Sequence, residues 1–411
     1  MTDLCHSNSL ISINQALENI STALAPLPGD EILSLHTAQG RVLSEQCIVP
    51  FDLPAFPNSS MDGYAFNSAD IQTTGFELIQ TGISWAGRPF NNKLERGQCV
   101  RIFTGAVLPV GADSVIMQDL VEVNDTRIHF PANTQARQNI RSKGEDVKQH
   151  ECLLPATKQL TAVDLGLLAS AGIYEVRVKR KIRIAFFSTG DELRPVGSAL
   201  TEGQIYDSNR YSLAALLNNP CHEVNDLGVI EDDKAQIRNT LLQAAQSNDV
   251  IITSGGASVG DADYIKEILD EIGQVDFWKL AIKPGKPLAF GRIEDCFFFG
   301  LPGNPISVIA TYQQIVTPAL RQLSGLRAST PIRLKTICTS PLYKNPGRQE
   351  FQRGVLSQIA PGEFTVCSAG KQGSNILSAG SRANCYIILA REQANVASGE
   401  QVLVEPFNLF L

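Results

Sequence analysis

Apolar positions change their spacing along this chain, and the changes mark out elements. Ser12 precedes Ile13, Leu17, Ile20 and Leu24, with Gln15 three residues after it, which predicts a helix opened by a capping box. Residues 100–103 and 114–117 read as strands, and residues 121–130 as a hairpin turning at Asn124-Asp125. Residues 161–171 predict a short helix, closed by Gly172 in a left-handed cap. From Lys181 the texture becomes strand and helix in alternation. Strands are predicted at 182–187, 227–230, 250–252 and 277–282, with Phe297, Phe298 and Phe299 forming another apolar run. Helices fall at about 210–217, through Ile237, Leu241 and Ala245, on the Tyr264, Ile265, Ile268, Leu269 and Ile272 face, and from Pro305 to about Leu323. That alternation predicts a doubly wound, mostly parallel α/β sheet. Residues 58–139 and 328–411 read as β-rich, with Gly and Pro punctuation.

Three prolines make residues 50–57 a stiff extended linker, and a domain boundary is expected there. Composition narrows the class. The chain of 411 residues is 43% hydrophobic and 19% charged, ordinary for a soluble globular protein of two to four domains. A formal net charge of −7 argues against a nucleic-acid partner. No apolar run reaches about 18 residues, so no membrane span is expected. The first residues lack a basic stretch followed by an apolar one, so no signal peptide is expected. Nine cysteines, scattered and never in C-x-x-C spacing, suit reduced thiols in a cytoplasmic protein. The histidines are scattered too, which argues against a His/Cys metal cluster.

The run from Thr253 to Asp263 carries the strongest chemical signal. It lies between a predicted strand and a predicted helix, where open α/β sheets bind ligands. Gly255, Gly256 and Gly260 permit close backbone approach, while Ser254 and Ser258 add hydroxyls, which reads as a phosphate cradle. The spacing matches neither a dinucleotide fingerprint nor a P-loop. Four polar loops, 188–193, 231–233, 253–263 and 300–305, follow strands and are expected to meet at one edge, joined by the Lys283/Lys286 segment. Such a site gathers lysines with Asp191, Glu192, Asp232, Asp261 and Asp263. Carboxylates beside a phosphate need a hard cation between them, and Mg²⁺ is the expected one. Phosphoryl or oxyanion transfer is the chemistry implied. Plainer roles stand beside these. Asp191 and Asp261 suit helix caps, Lys279 and Lys283 solvated strand ends, Pro302 and Pro305 element boundaries, and Asp62 an ordinary turn.

Several runs together resemble one family, the molybdopterin molybdenumtransferases (MoeA, related to the gephyrin E domain). They are Ser60-Met61-Asp62-Gly63-Tyr64-Ala65, Phe103-Thr104-Gly105-Ala106, Gly111-Ala112-Asp113, Ser188 to Leu193, Thr253 to Asp263, Lys283-Pro284-Gly285-Lys286-Pro287, Gly300 to Pro305 and Gly347-Arg348-Gln349-Glu350-Phe351. The resemblance implies a discontinuous N-terminal domain (1–47 plus 140–178), an inserted β-rich domain (48–139), an α/β molybdopterin-binding domain (179–327) and a C-terminal small β-barrel (328–411). It implies a homodimer whose β-rich domain closes the partner's site. The implied reaction inserts molybdate into adenylylated molybdopterin with Mg²⁺, releasing AMP and giving the molybdenum cofactor. By resemblance, Asp62, Thr104, Asp146, Glu192, Asp232, Asp263, Lys279 and Lys283 are catalytic positions, and Glu192, Asp232 and Asp263 ligate Mg²⁺. Gly255, Gly256, Ser258, Lys286, Pro302, Pro305, Ser307, Arg348 and Ser374 bind substrate in the same reading. Other cofactor-biosynthesis proteins are possible partners. A molybdopterin adenylyltransferase and a non-catalytic scaffold are the alternatives. The first is disfavoured by the additional domains.

Overall fold

The computed structural model describes residues 10–255, 264–327 and 330–407, and the chain falls into two compact units. The first comprises Met1–Glu31, Gly40–Ser44 and Arg177–Leu411; the second comprises Ile32–Gln39 and Glu45–Val176. Residues 50–57 lie inside the second unit and are not a free linker. Leu53 N–H donates to Val147 O at 2.8 Å, Val49 N–H to Glu151 O at 3.0 Å, and Gly144 N–H to Pro54 O at 3.0 Å.

The first unit is built on a six-stranded sheet in the order His222–Ile230, Ile182–Thr189, Val250–Ser254, Cys296–Leu301, Pro287–Ile293, Gln274–Lys279. The first four strands are parallel, and the last two attach antiparallel. Alternation along Ile182–Thr189 explains why both faces are covered. Ile182, Ile184 and Phe186 point into one fully buried cluster with the Ser208–Leu217 and Pro305–Thr311 helices. Ala185 and Phe187 point into another, packed by the Lys234–Ser247 and Tyr264–Ile272 helices. The N-terminal helix Ile13–Ala23 adds Ile13, Ala16 and Ile20 to the first of these cores. Only half of its expected capping box forms. Ser12 Oγ accepts Gln15 N–H at 3.1 Å, but the Gln15 amide donates to Asn19 Oδ1 instead of returning to the cap.

Two expected elements differ. The strand expected at 277–282 ends at Lys279, and Ile282–Lys283 belongs to a different sheet. The turn is fixed by Leu280 N–H donating to Lys286 O at 2.6 Å and Ala281 N–H to Ile11 O at 2.7 Å. The strand expected at 227–230 starts at His222; its first half is largely exposed at the sheet edge and lacks an apolar signal.

The C-terminal segment forms a closed five-stranded barrel. Gln349–Ala360, Glu363–Ser368, Leu334–Cys338, Gln401–Pro406 and Cys385–Leu389 pair in sequence, and the last pairs back with the first. Ile282–Lys283 lies parallel to Gln349–Glu350 and stitches the barrel to the α/β region. A π-helical turn, Tyr312–Val316, supplies two more ties. Pro318 follows it and has no N–H to donate, and Thr317 N–H reaches back five residues to Tyr312 O. Within the turn, Gln313 Oε1 accepts from Tyr386 Oη at 2.7 Å and Gln314 Nε2 donates to Glu405 Oε1 at 2.6 Å.

The second unit centres on another six-stranded sheet, ordered Ser114–Met117, Gly63–Phe66, Gln98–Ile102, Phe76–Ser84, Arg127–Phe130, Glu122–Asn124. The hairpin between the last two turns at Asp125, whose φ of 58° is the left-handed conformation that Asn and Asp tolerate. Phe66, Phe76 and Phe130 pack their rings together in its core.

At the amino end of the α/β sheet, Asp249 is 8% exposed and binds Arg180 through both carboxylate oxygens, at 2.7 and 2.9 Å. It also accepts Arg183 N–H at 2.8 Å. Burial raises its carboxyl pKa, but the two arginines outweigh that and hold it down at about 2. A carboxylate depressed in the folded state stabilises above its ordinary pKa of 3.8, and that stability is lost as pH falls towards 2. Asp249→Asn should cost about 2 kcal/mol at pH 6 and almost nothing near pH 2. Urea melts of both proteins across that range check this; a difference independent of pH contradicts it.

Candidate functional site

Parallel strands bring their carboxyl ends to one edge, and here hydrogen bonds show the loops meeting. Asn209 Nδ2 donates to Ser254 Oγ and to Gly303 O, both at 2.7 Å, which joins the 300–305 loop to the strand before the glycine run. Gly255 N–H donates to Leu301 O at 3.2 Å. Gly255 sits at φ +93°, and a Cβ there would meet Thr189 O and Oγ1 at 3.0 Å. Its glycine is therefore required by backbone conformation and by the neighbouring strand end. Gly256, Ser258, Asp261 and Asp263 lie outside the described residues. Ser188 Oγ and Asn209 Oδ1 are buried on these same elements without a hydrogen-bond partner among the described residues. Buried polar atoms of this kind fit a polar ligand.

Acidic groups line the adjoining loops. Asp191 Oδ1 accepts Asp232 N–H at 3.2 Å, so the 188–193 and 231–233 loops touch. This contact, and not a helix cap, is what the Asp191 side chain makes; the next helix, Ser208–Leu217, is capped by Asp207, which accepts Arg210 N–H at 3.1 Å. Asp232 has its pKa raised by partial withdrawal from water and by the negative charges of Asp191 and Glu192. Those charges crowd one another. Hard oxygen donors under mutual repulsion fit a hard divalent cation in chemical type. Among the described residues, no three His, Cys, Asp or Glu side chains stand placed around a metal position.

Basic groups gather where the α/β region meets the barrel. Lys283 Nζ donates to Glu350 Oε1 at 3.0 Å, a consequence of the ladder that sets Lys283 opposite Glu350. Lys344 is buried beside them. Its pKa is lowered by burial and by the Lys283 and Arg348 charges, against an upward pull from Glu350 and Glu392. Arg348, half-buried, precedes the strand that carries Glu350. Gly285 packs against the Pro305–Thr311 helix so tightly that a Cβ would lie 2.4 Å from Thr311 Oγ1. That helix buries Ser307, and Ser374 O accepts Ile306 N–H at 2.9 Å. These contacts bring the segments that carry Lys283, Ser307, Arg348 and Ser374 near one another in this unit. Lys286 is exposed after the turn, and half-buried Lys279 ends its strand with its carbonyl accepting Ile11 N–H at 3.0 Å. Pro302 is buried after the strand end, and Pro305 opens the following helix, the boundary role that proline suits.

Three further positions lie in the second unit. Asp62 Oδ1 accepts both the backbone N–H and the hydroxyl of Thr104, each at 2.8 Å. Those two bonds, and Arg101 less strongly, hold its pKa below the ordinary value. Gly63 follows because a Cβ there would strike Ile116 O at 1.8 Å. Asp146 is exposed, with its N–H donating to Leu53 O at 3.0 Å.

Asn209, Lys344, Glu350, Gln352 and Arg353 are absent from the reading of the sequence as individual site residues. Arg353, 2% exposed, donates to Lys371 O and Gly373 O at 3.1 and 2.9 Å and so shapes the loop carrying Ser374. The available signal is the polar run Arg348-Gln349-Glu350 continuing through Gln352 and Arg353 within a stretch read as β-rich, where buried charge has to be paired.

Comparison with known proteins places the chain in a family. Residues 11–172 match the MoeA N-terminal region (domain I and II), residues 185–322 a probable molybdopterin binding domain, and residues 335–407 the MoeA C-terminal region (domain IV). A molybdopterin molybdenumtransferase of Haemophilus influenzae is 44% identical over 98% of this chain and 100% of its own. One from Nostoc is 34% identical over 91% of this chain and 88% of its own. Gephyrin of Dictyostelium discoideum is 30% identical over 92% of this chain, but only 60% of its own length. The crystal structure of the molybdopterin biosynthesis moeA protein of Pyrococcus horikoshii matches with a TM-score of 0.85 at 28% identity, over 97% of this chain and all of that one. On the full-length identity and the three consecutive domain matches, the chain belongs to the molybdopterin molybdenumtransferase family of enzymes of molybdenum cofactor biosynthesis.

Proposed function

We propose that this protein inserts molybdenum from molybdate into adenylylated molybdopterin, with Mg²⁺, releasing AMP. The observation that carries the reading is the pairing of two opposed charge clusters in one unit: carboxylates on the 188–193 and 231–233 loops, cations at Lys283, Lys344 and Arg348. A substrate with phosphates needs the first kind of site together with a cation, and an oxyanion needs the second. Lys283 and Arg348 hold molybdate by charge-assisted hydrogen bonds, with Ser307 and Ser374 beside them and Lys286 at the rim. The loops at 188–193, 253–263 and 300–305 receive the pterin phosphate through backbone amides and the hydroxyls of Ser254 and Ser258. Pro302 and Pro305 fix the shape of the last of these loops, and Lys279 adds positive charge. Glu192, Asp232 and Asp263 hold Mg²⁺, which neutralises phosphate charge when bound.

The active form is a homodimer, and the partner's Asp62–Thr104 pair, with Asp146 from the same unit, completes the site. In this reading the chain comprises the four domains 1–47 plus 140–178, 48–139, 179–327 and 328–411, and works in the cytoplasm. No helix among the described residues is long and apolar enough to cross a membrane.

Incubation with adenylylated molybdopterin and molybdate should release AMP, stop with EDTA and resume on adding Mg²⁺. AMP release indifferent to chelation overturns the metal role, and pyrophosphate made from ATP and molybdopterin would identify an adenylyltransferase. Light scattering at micromolar concentration should give twice the 44.6 kDa chain mass. A fully active monomer contradicts the shared site.

A further inference from the structure

The long strand Gln349–Ala360 enters the barrel with two buried polar side chains, Glu350 at 3% and Gln352 at 4% exposure. Glu350 uses both oxygens. Oε1 accepts Lys283 Nζ at 3.0 Å and Oε2 accepts Gln352 Nε2 at 2.8 Å. The same Gln352 amide donates to Tyr343 O at 2.9 Å, so it is fixed in turn. Lys344, next in the chain, is 4% exposed and points Nζ at three carbonyls: Asn345 O at 3.3 Å, Arg391 O at 3.1 Å and Gln393 O at 2.6 Å. Lys283 is different. Its side chain is 42% exposed, at the end of a flexible stem.

Three cations in one neighbourhood repel one another, and Lys283 is far less held by burial than Lys344. Without a nearby anion, the Lys344 and Arg348 charges favour its swinging into water. A carboxylate buried this deeply is costly unless paired, so it stays where its partner is. We propose that Glu350 is a positioning residue for the oxyanion site: oriented by Gln352, it anchors the Lys283 ammonium beside Arg348 and leaves its remaining N–H groups to the incoming oxyanion. The proposal rests on the reading that Lys283 binds molybdate, and it adds the group through which Lys283 is placed. Glu350 does not touch the oxyanion in this account. Its effect passes entirely through Lys283, which separates it from a residue that matters only for stability and from an anion that merely competes with molybdate.

The full chain is measured by equilibrium dialysis against sodium molybdate and by the molybdate dependence of AMP release. Lys283→Ala should raise the molybdate requirement about 10- to 100-fold, with partial rescue at high molybdate. Glu350→Gln should raise it about tenfold, leave kcat at saturating molybdate close to wild type, and leave pterin affinity unchanged. In the Lys283→Ala background, Glu350→Gln should add nothing, because the group it positions is gone. Gln352→Met keeps every charge and is read alongside, and alone if Glu350→Gln does not fold; it should weaken molybdate binding about threefold or more. Tighter molybdate binding by Glu350→Gln, additive effects in the double variant, or wild-type behaviour of Gln352→Met overturns the proposal. Wild-type molybdate dependence of Lys283→Ala instead removes the oxyanion reading on which it stands.

Discussion

The short parallel ladder that sets Ile282 opposite Gln349 and Lys283 opposite Glu350 is the contact on which the cationic half of the site depends. It is small, and it joins the α/β region to a barrel that has a core of its own and also lends Phe351, Tyr386 and Ile388 to the α/β core. Through it a lysine from the α/β region faces a buried carboxylate of the barrel at hydrogen-bond distance. The ties of Gln313 and Gln314 from the π-helical turn, and of Ile306 N–H to Ser374 O, hold the same junction from other sides. The consequence is a site whose cations come from two domains.

The acidic half follows from sheet topology. Parallel strands discharge their loops at one edge, so Asp191, Glu192 and Asp232 approach although some forty residues separate the two loops. Their repulsion is tolerated because they remain largely exposed. The cationic cluster is instead managed by burial and pairing, with Lys344 held by carbonyls and Lys283 by Glu350. Two clusters of opposite sign in one unit, one wet and one anchored, suit the proposed reaction of a phosphorylated pterin with a free oxyanion.

Much of this was legible in the sequence. The Ile182 to Phe187 strand, the Ile265, Ile268, Leu269 helical face and the short helix of 161–171 closed by Gly172 are elements that the structure contains, because each depends on local spacing. The polar loops could be placed at one edge from the alternation of strand and helix. Elements without an apolar signal were missed. Half of His222–Ile230 is an exposed sheet edge, and Ile282–Lys283 leaves its apparent strand because its partner lies sixty-seven residues away in the barrel. The same distance hides Glu350, Gln352 and Lys344 as site residues. Their role comes from burial and from partners remote in the chain, and neither is written in spacing. The middle of the glycine run, with Gly256, Ser258 and Asp263, falls outside the described residues.

The central claim is that the junction between the α/β region and the barrel is an oxyanion site. Crystals of the protein soaked in molybdate test it most directly, since molybdenum is located by its anomalous scattering. The account predicts a molybdenum peak within hydrogen-bonding reach, through its oxygens, of Lys283 Nζ and the Arg348 guanidinium, with Ser307 and Ser374 adjoining. A fully occupied peak elsewhere, such as at the Arg180 and Arg183 end of the sheet, with none at Lys283, would contradict it.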